Sequence, residues 1–163
     1  MKIPLKIRRI DRRDRRRLET ILKAQAHFKP EEVQIALELV DLGLTQAGQE
    51  DYIFRIAEGP EGQTLGYICY GKAPLTDAVY DIYWIAVHPT SWNRGTGTVL
   101  LHQAEEEMKR RKARLLLIET SSRPPYGIPR AFYRKNGYEE VARILDYYAV
   151  GDHKLIFGKV LTP

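Results

Sequence analysis

Hydrophobic and polar positions along the chain change period repeatedly, and each change predicts an element. Leu5–Ile10 reads as a first strand, and Asp11 or Asp14 then caps a helix in which Leu18, Ile21 and Leu22 fall at helical spacing. Lys29-Pro30-Glu31-Glu32 opens a second helix, with Pro30 in its first turn and Val33, Ala36, Leu37, Val40 and Leu44 turned inward. Asp51–Glu58 and Thr64–Tyr70 are strands joined across Gly59-Pro60-Glu61-Gly62, a hairpin signal, and Val79–Val87 is a third long strand.

The second half is equally periodic. Thr98–Lys112 predicts a helix with Leu100, Leu101, Ala104 and Met108 as its buried stripe and Glu105/Lys109, Glu106/Arg110 and Glu107/Arg111 paired four apart. Leu115–Ile118 is continuously apolar, as in a strand covered on both faces. Pro129–Asn136 is a short helix ended by Gly137, and Tyr138–Tyr148 and Leu155–Leu161 are two strands, antiparallel across Gly151. The predicted order is β-α-α-β-β-β-α-β-α-β-β. It is an α/β class fold, a mixed α+β sheet with helices on both faces.

Composition narrows the possibilities. A chain of 163 residues suits one domain, 1–163, and 44% hydrophobic with 29% charged residues is ordinary for a globular protein. The lone Cys69 excludes an internal disulfide framework, and four scattered histidines show no metal-ligand spacing. No apolar stretch follows Met1-Lys2-Ile3-Pro4-Leu5-Lys6, and no run approaches the ~20 apolar residues that cross a bilayer. The expectation is a cytoplasmic protein with neither signal peptide nor membrane span.

The net charge of +5 mildly favours anionic partners, and much of it lies in Arg8, Arg9, Arg12, Arg13, Arg15, Arg16 and Arg17. Asp11 and Asp14 interrupt that cluster and no aromatic residue interleaves it. A solvated helix face therefore fits better than a nucleic-acid patch.

The chemistry concentrates in Ile85-Ala86-Val87-His88-Pro89-Thr90-Ser91-Trp92-Asn93-Arg94-Gly95-Thr96-Gly97-Thr98. A hydrophobic strand enters a short loop, two glycines follow, and a helix begins. Helix N-termini present unpaired amides and partial positive charge, so this turn suits a phosphate. It lacks the Lys-Ser/Thr pair of a nucleotide P-loop and the three-glycine spacing of a dinucleotide fold.

Here the chain resembles the GNAT superfamily of N-acetyltransferases over essentially its whole length. The family signature Gln/Arg-x-x-Gly-x-Gly/Ala falls on Trp92-Asn93-Arg94-Gly95-Thr96-Gly97, and a second falls on Phe132-Tyr133-Arg134-Lys135-Asn136-Gly137-Tyr138. Trp92 replaces the usual Gln or Arg, and Asn93 stands where Gly is common.

The resemblance implies acetyl-CoA as co-substrate, with its pantetheine arm bonded to the main chain of Ile85 and Val87, across Ala86. The diphosphate would lie over Asn93–Thr98, with Arg94, Arg134 or Lys135 near the outer phosphate. The Val87 amide would stabilise the oxyanion formed on attack, and Tyr133 would protonate the departing thiolate. Asp81 matches a catalytic Glu of some relatives; Glu119, Tyr83 and ordered water are alternatives for the base. Acceptor pockets in the family form from regions that here offer Phe28, Tyr126, Tyr147 and Tyr148, with Glu31, Asp146 and Asp152 as ammonium partners. The implied acceptor is a small or medium amine or a peptide amine, and edge strands of this fold allow a homodimer. His88 reads as a cap. Other readings to weigh are a non-catalytic acyl-CoA or protein-interaction module, and nucleic-acid binding through the arginine-rich helix.

Overall fold

The computed structural model describes residues 4–46 and 48–161. Met1–Ile3, where the reading of the N-terminus begins, lie outside them. The elements are β1 (Lys6–Arg9), α1 (Asp14–Lys23), α2 (Pro30–Thr45), β2 (Ile53–Glu58), β3 (Thr64–Lys72), β4 (Val79–Val87), α3 (Thr96–Arg110), β5 (Leu115–Ser121), α4 (Gly127–Lys135), β6 (Glu139–Ala149) and β7 (Asp152–Val160). Short 3-10 turns occupy Pro89–Ser91 and Pro124–Tyr126. The order is the predicted one, and the strands hydrogen-bond in the sequence β1-β2-β3-β4-β5-β7-β6, with β4 and β5 parallel. The chain divides into two compact units, Met1–Gly71 with Trp84–Glu107, and Lys72–Tyr83 with Met108–Pro163.

In the first unit Leu18, Ile21 and Leu22 of α1, Val33, Ala36, Leu37 and Val40 of α2, and Leu100, Leu101 and Ala104 of α3 are buried as predicted, while Leu44 at the end of the α2 stripe is only partly so. β1 pairs antiparallel with β2, and β2 with β3, around Ile56, Tyr67 and Ile68. The expected aspartate cap of α1 is different in kind. Arg13 holds the N-cap position without a side-chain capping bond, Asp11 Oδ1 accepts the Arg13 amide at 2.9 Å, and Asp14 is the first helical residue, fully buried. Its carboxylate takes two hydrogen bonds of 2.8 Å from the Arg8 guanidinium, one of 2.8 Å from Thr64 Oγ1 and one of 2.9 Å from the Asp11 amide. A buried charge needs such a set of partners, and here they tie β1, α1 and β3 together. At the start of α2 the Lys29 amide donates to Glu32 Oε2 at 2.7 Å, the reciprocal half of a capping box.

In the second unit, Val79–Ile82 of β4 lies parallel to Leu115–Ile118, and β5 continues antiparallel to β7, pairing Ile118 with Phe157 and Glu119 with Ile156. The expectation of a strand covered on both faces is corrected for β5. Leu116 and Ile118 are buried, Leu115 and Leu117 only partly so, and Glu119 is exposed, so burial alternates. β6 pairs with β7 through two irregularities, one at Asp146 with φ +50°, and every residue of β6 is exposed.

No helix among the described residues is long and apolar enough to cross a membrane, and none of their His, Cys, Asp and Glu side chains cluster to hold a metal. Cys69 is buried, and burial pushes its thiol well above the usual range.

Candidate active site

The sequence-predicted residues fall on both units, and each unit has its own geometry. In the first unit β4 ends at Val87, and β3 approaches that end closely. A Cβ at Gly66 would lie 2.8 Å from the Ala86 carbonyl oxygen and 3.3 Å from Val87 Cα, so only glycine allows this approach. His88 caps the 3-10 turn, its Nδ1 lying 2.8 Å from Thr90 Oγ1. The chain then turns through two left-handed residues, Asn93 at φ +59° and Gly95 at φ +83°. Asn is among the few side chains that adopt this region readily, which explains its presence where the family favours Gly. A Cβ at Gly95 would meet nothing within 4 Å, so its glycine is demanded by φ rather than by space.

α3 begins at Thr96, two residues earlier than predicted, and its first closing bond runs from the Val99 amide to the Gly95 carbonyl at 3.0 Å. The amides of Thr96, Gly97 and Thr98 thus belong to the first turn, which has no intrahelical acceptors. The hydroxyls of Ser91 and Thr96, 2% and 1% exposed, have no hydrogen-bond partner among the described residues. The first-turn amides form a donor set suited to a diphosphate. Arg94 is exposed. Trp92 turns back to the strand: its indole N–H donates to the Val87 carbonyl at 2.8 Å, and Gln25 Nε2 donates to the same oxygen at 3.1 Å. Gln25 was invisible to sequence reasoning because 62 positions separate it from Val87. Phe28 packs edge to face on Trp84, ring centroids 5.3 Å apart.

In the second unit Asp81 pairs in register with Leu117, which alternation places on one face with Glu119. Burial, and then the charge of Glu119, push the Asp81 carboxyl above its ordinary value, while Lys154 pulls it back. Glu119 is itself engaged by Lys154 Nζ at 2.7 Å, and the same ammonium lies 4.4 Å from the Tyr147 ring centroid. Lys154 thus pairs with one candidate base and covers Tyr147, one of the aromatic residues of the acceptor reading. Tyr133 is buried on α4 against Phe157, centroids 5.9 Å apart, on the opposite face of the strands from Asp81 and Glu119. Burial pushes its phenol up to about 12.

Several acceptor candidates have structural duties instead. Asp152 is buried, accepts from Ser121 Oγ and faces Arg123 Nε at 3.2 Å. Asp146 Oδ1 takes the Gly151 amide at 2.7 Å and closes the hairpin, and Tyr126 is buried beneath the Arg123 guanidinium. Tyr147 and Tyr148 stay exposed as an edge-to-face pair. Arg134 stacks over Phe157.

The profile of the acetyltransferase (GNAT) domain matches residues 49–140. The chain belongs to the GNAT acetyltransferase family. A protein assigned to GNAT acetyltransferases, from Desulfovibrio desulfuricans, superposes with a TM-score of 0.90 at 33% identity, covering 98% of this chain and 100% of that one. The ribosomal-protein-S18-alanine N-acetyltransferase of Escherichia coli gives 0.75 at 17% identity, over 98% of this chain and 96% of its own. The PaiA N-acetyltransferase of Thermoplasma acidophilum, solved with coenzyme A, gives 0.75 at 16% identity, over 98% and 100%. At such identities these last two show the shared GNAT fold alone. No curated protein matches the sequence as a relative.

Proposed function

We propose that this GNAT acetyltransferase takes acetyl-CoA as donor and acetylates a primary amine of a small or medium-sized acceptor, or a peptide amine, by direct attack in a ternary complex. The observation that carries the reading is the left-handed turn at Asn93 and Gly95, which feeds the first-turn amides of α3. The coenzyme A bound by PaiA acetyltransferase, on the same fold, supports it. A cytoplasmic location accords with it.

When bound, the thioester supplies an activated acetyl carbonyl. Residues Thr96–Thr98 hold the diphosphate through their amides, with Gly95 and Asn93 shaping the turn. The Val87 amide meets the acetyl oxygen and stabilises the negative charge it gains. Asp81, about 20 Å along β4 from Val87, would receive the proton of the attacking amine through ordered water, and its raised affinity for a proton suits that task. As the carbon–sulfur bond breaks, Tyr133 donates its hydroxyl proton to sulfur; its high pKa keeps it protonated until then. The aromatic pair Phe28–Trp84 offers surface for a cationic acceptor.

Calorimetry with coenzyme A tests the donor, and thiol release from acetyl-CoA across a panel of amines tests the transfer. Tyr133→Phe is expected to lower kcat by about 100-fold, within the usual range for losing a general acid, with coenzyme A affinity nearly unchanged. An absence of coenzyme A binding, or full activity in Tyr133→Phe, overturns the respective part.

A further inference from the structure

We propose that Gln25 and Trp92 clamp the Val87 carbonyl and are positioning residues for acetyl transfer. The inference deepens the acetyl-transfer reading and rests on it for its catalytic half. The neighbouring His88 amide donates to Leu65 on β3 at 2.8 Å, so the Val87 carbonyl, one peptide oxygen earlier, points away from β3, to the side where an added chain would bond. That oxygen already accepts from the Trp92 indole at 2.8 Å and from the Gln25 amide at 3.1 Å. A carbonyl has two lone pairs, and both are engaged.

Three consequences follow from this saturation. The cofactor arm can bond Val87 only through its amide, which reserves that N–H for the acetyl oxygen. The Val87–His88 peptide is held at both ends before any ligand arrives, so the backbone of Val87 is preorganised. And because Trp92 directly precedes Asn93, a rigid single-donor ring ties the phosphate turn to the strand end that meets the thioester. Gln25 suits its half of the clamp: it is buried, and its second amide hydrogen goes to the Ile21 carbonyl at 2.8 Å, so neither donor is wasted. Trp92 is 47% exposed, so its ring is not there to fill the core.

Val87–His88 is the only Val-His step in the sequence. Isotope labelling of valine carbonyls and histidine amides therefore gives one carbonyl–amide correlation, which reports this peptide alone. Trp92→Phe is expected to move the Val87 carbonyl resonance upfield, and Gln25→Leu to do the same, whereas coenzyme A leaves it in place. In turnover, Trp92→Phe should lower kcat by about tenfold, the scale of a small misplacement of a catalytic group, with coenzyme A affinity within about threefold of wild type. An unmoved carbonyl in Trp92→Phe overturns the clamp, as does a carbonyl shifted by coenzyme A itself. Weakened coenzyme A binding with unchanged kcat makes Trp92 a cofactor contact and overturns its positioning role. Should Gln25→Leu not fold, the surface variant Trp92→Phe alone decides. The shifts in Trp92→Phe and Gln25→Leu are read without cofactor, so wild-type protein that binds no coenzyme A would sink the acetyl-transfer reading while leaving the clamp itself measurable.

Discussion

Asp81 and Glu119 share a face of the sheet, and their surroundings give them different parts. Glu119 is 53% exposed and paired to Lys154, so its lone pairs are committed to an ammonium. Asp81 is half-buried and its proton affinity is raised, first by burial and then by Glu119. As base it must be deprotonated, so kcat/KM should fall on the acid side with a midpoint above the ordinary carboxylate value of about 3.9. Lys154 favours the charged form, so Lys154→Met is expected to move that limb to higher pH. Glu119 disfavours it, so Glu119→Gln should move the limb lower, and Asp81→Asn should abolish it. Opposite displacements in pH–rate profiles of the two neighbours check the assignment; identical ones would remove Asp81 from the role. The candidacy of Asp81 was legible from the resemblance, because it stands where some relatives carry a catalytic Glu. The part of Lys154 was not, because its place beside Glu119 depends on the β5–β7 register, which pairs Ser121 with Lys154.

At the scale of elements, period and punctuation carried far. Pro30 marked the start of α2, and the helix stripes and all seven strands were readable. What failed was competition between local and distant partners. Asp14 has the composition of a helix cap, yet Arg8 and Thr64, brought by β1 and β3, claim its oxygens. Asp14→Asn is expected to cost about 1–3 kcal/mol at pH 7, since it takes the charge from the acceptor of two Arg8 hydrogen bonds and leaves Glu58 and Asp11 as the remaining acidic partners of Arg8. Burial alone would push the Asp14 carboxyl up, but the Arg8, Asp11 and Thr64 hydrogen bonds outweigh it and hold it below the usual range. Its stabilising effect is therefore complete above the unfolded value of about 3.9 and lost as pH falls through the lower folded one. Urea unfolding of both proteins across that window should show the difference shrinking only below about pH 4. Gly66 was read merely as part of a strand; what demands glycine is the Ala86 carbonyl facing it. Gly66→Ala pushes directly on the backbone that ends at Val87. Its effect should therefore appear in KM for acetyl-CoA as well as in stability, whereas a purely structural defect would lower stability alone.

Charge acts at the scale of the whole molecule, and here the structure decides what the count of +5 means. The arginine cluster that dominates the excess is largely spoken for. Arg8 is bonded to Asp14 and Glu58, Arg13 to Asp11, and Arg15 to Asp41 and Glu19, while Arg17 donates to the Gly62 carbonyl at 2.8 Å. Arg9, Arg12 and Arg16 remain exposed, too few to track a phosphate backbone. A net positive charge without a basic stripe attracts a compact polyanion over distance and grips no polymer. Hence kcat/KM for acetyl-CoA should fall as ionic strength rises past 0.1 M, where screening acts within about 10 Å. Acetyl-pantetheine, which carries the thioester but no phosphate, should be almost indifferent to the same change. Retention on DNA or RNA should be absent even at low salt. Equal salt sensitivity of the two donors would show that the charge serves neither ligand, and salt-dependent retention abolished by neutralising Arg12 and Arg16 would return the arginine-rich helix to a nucleic-acid role.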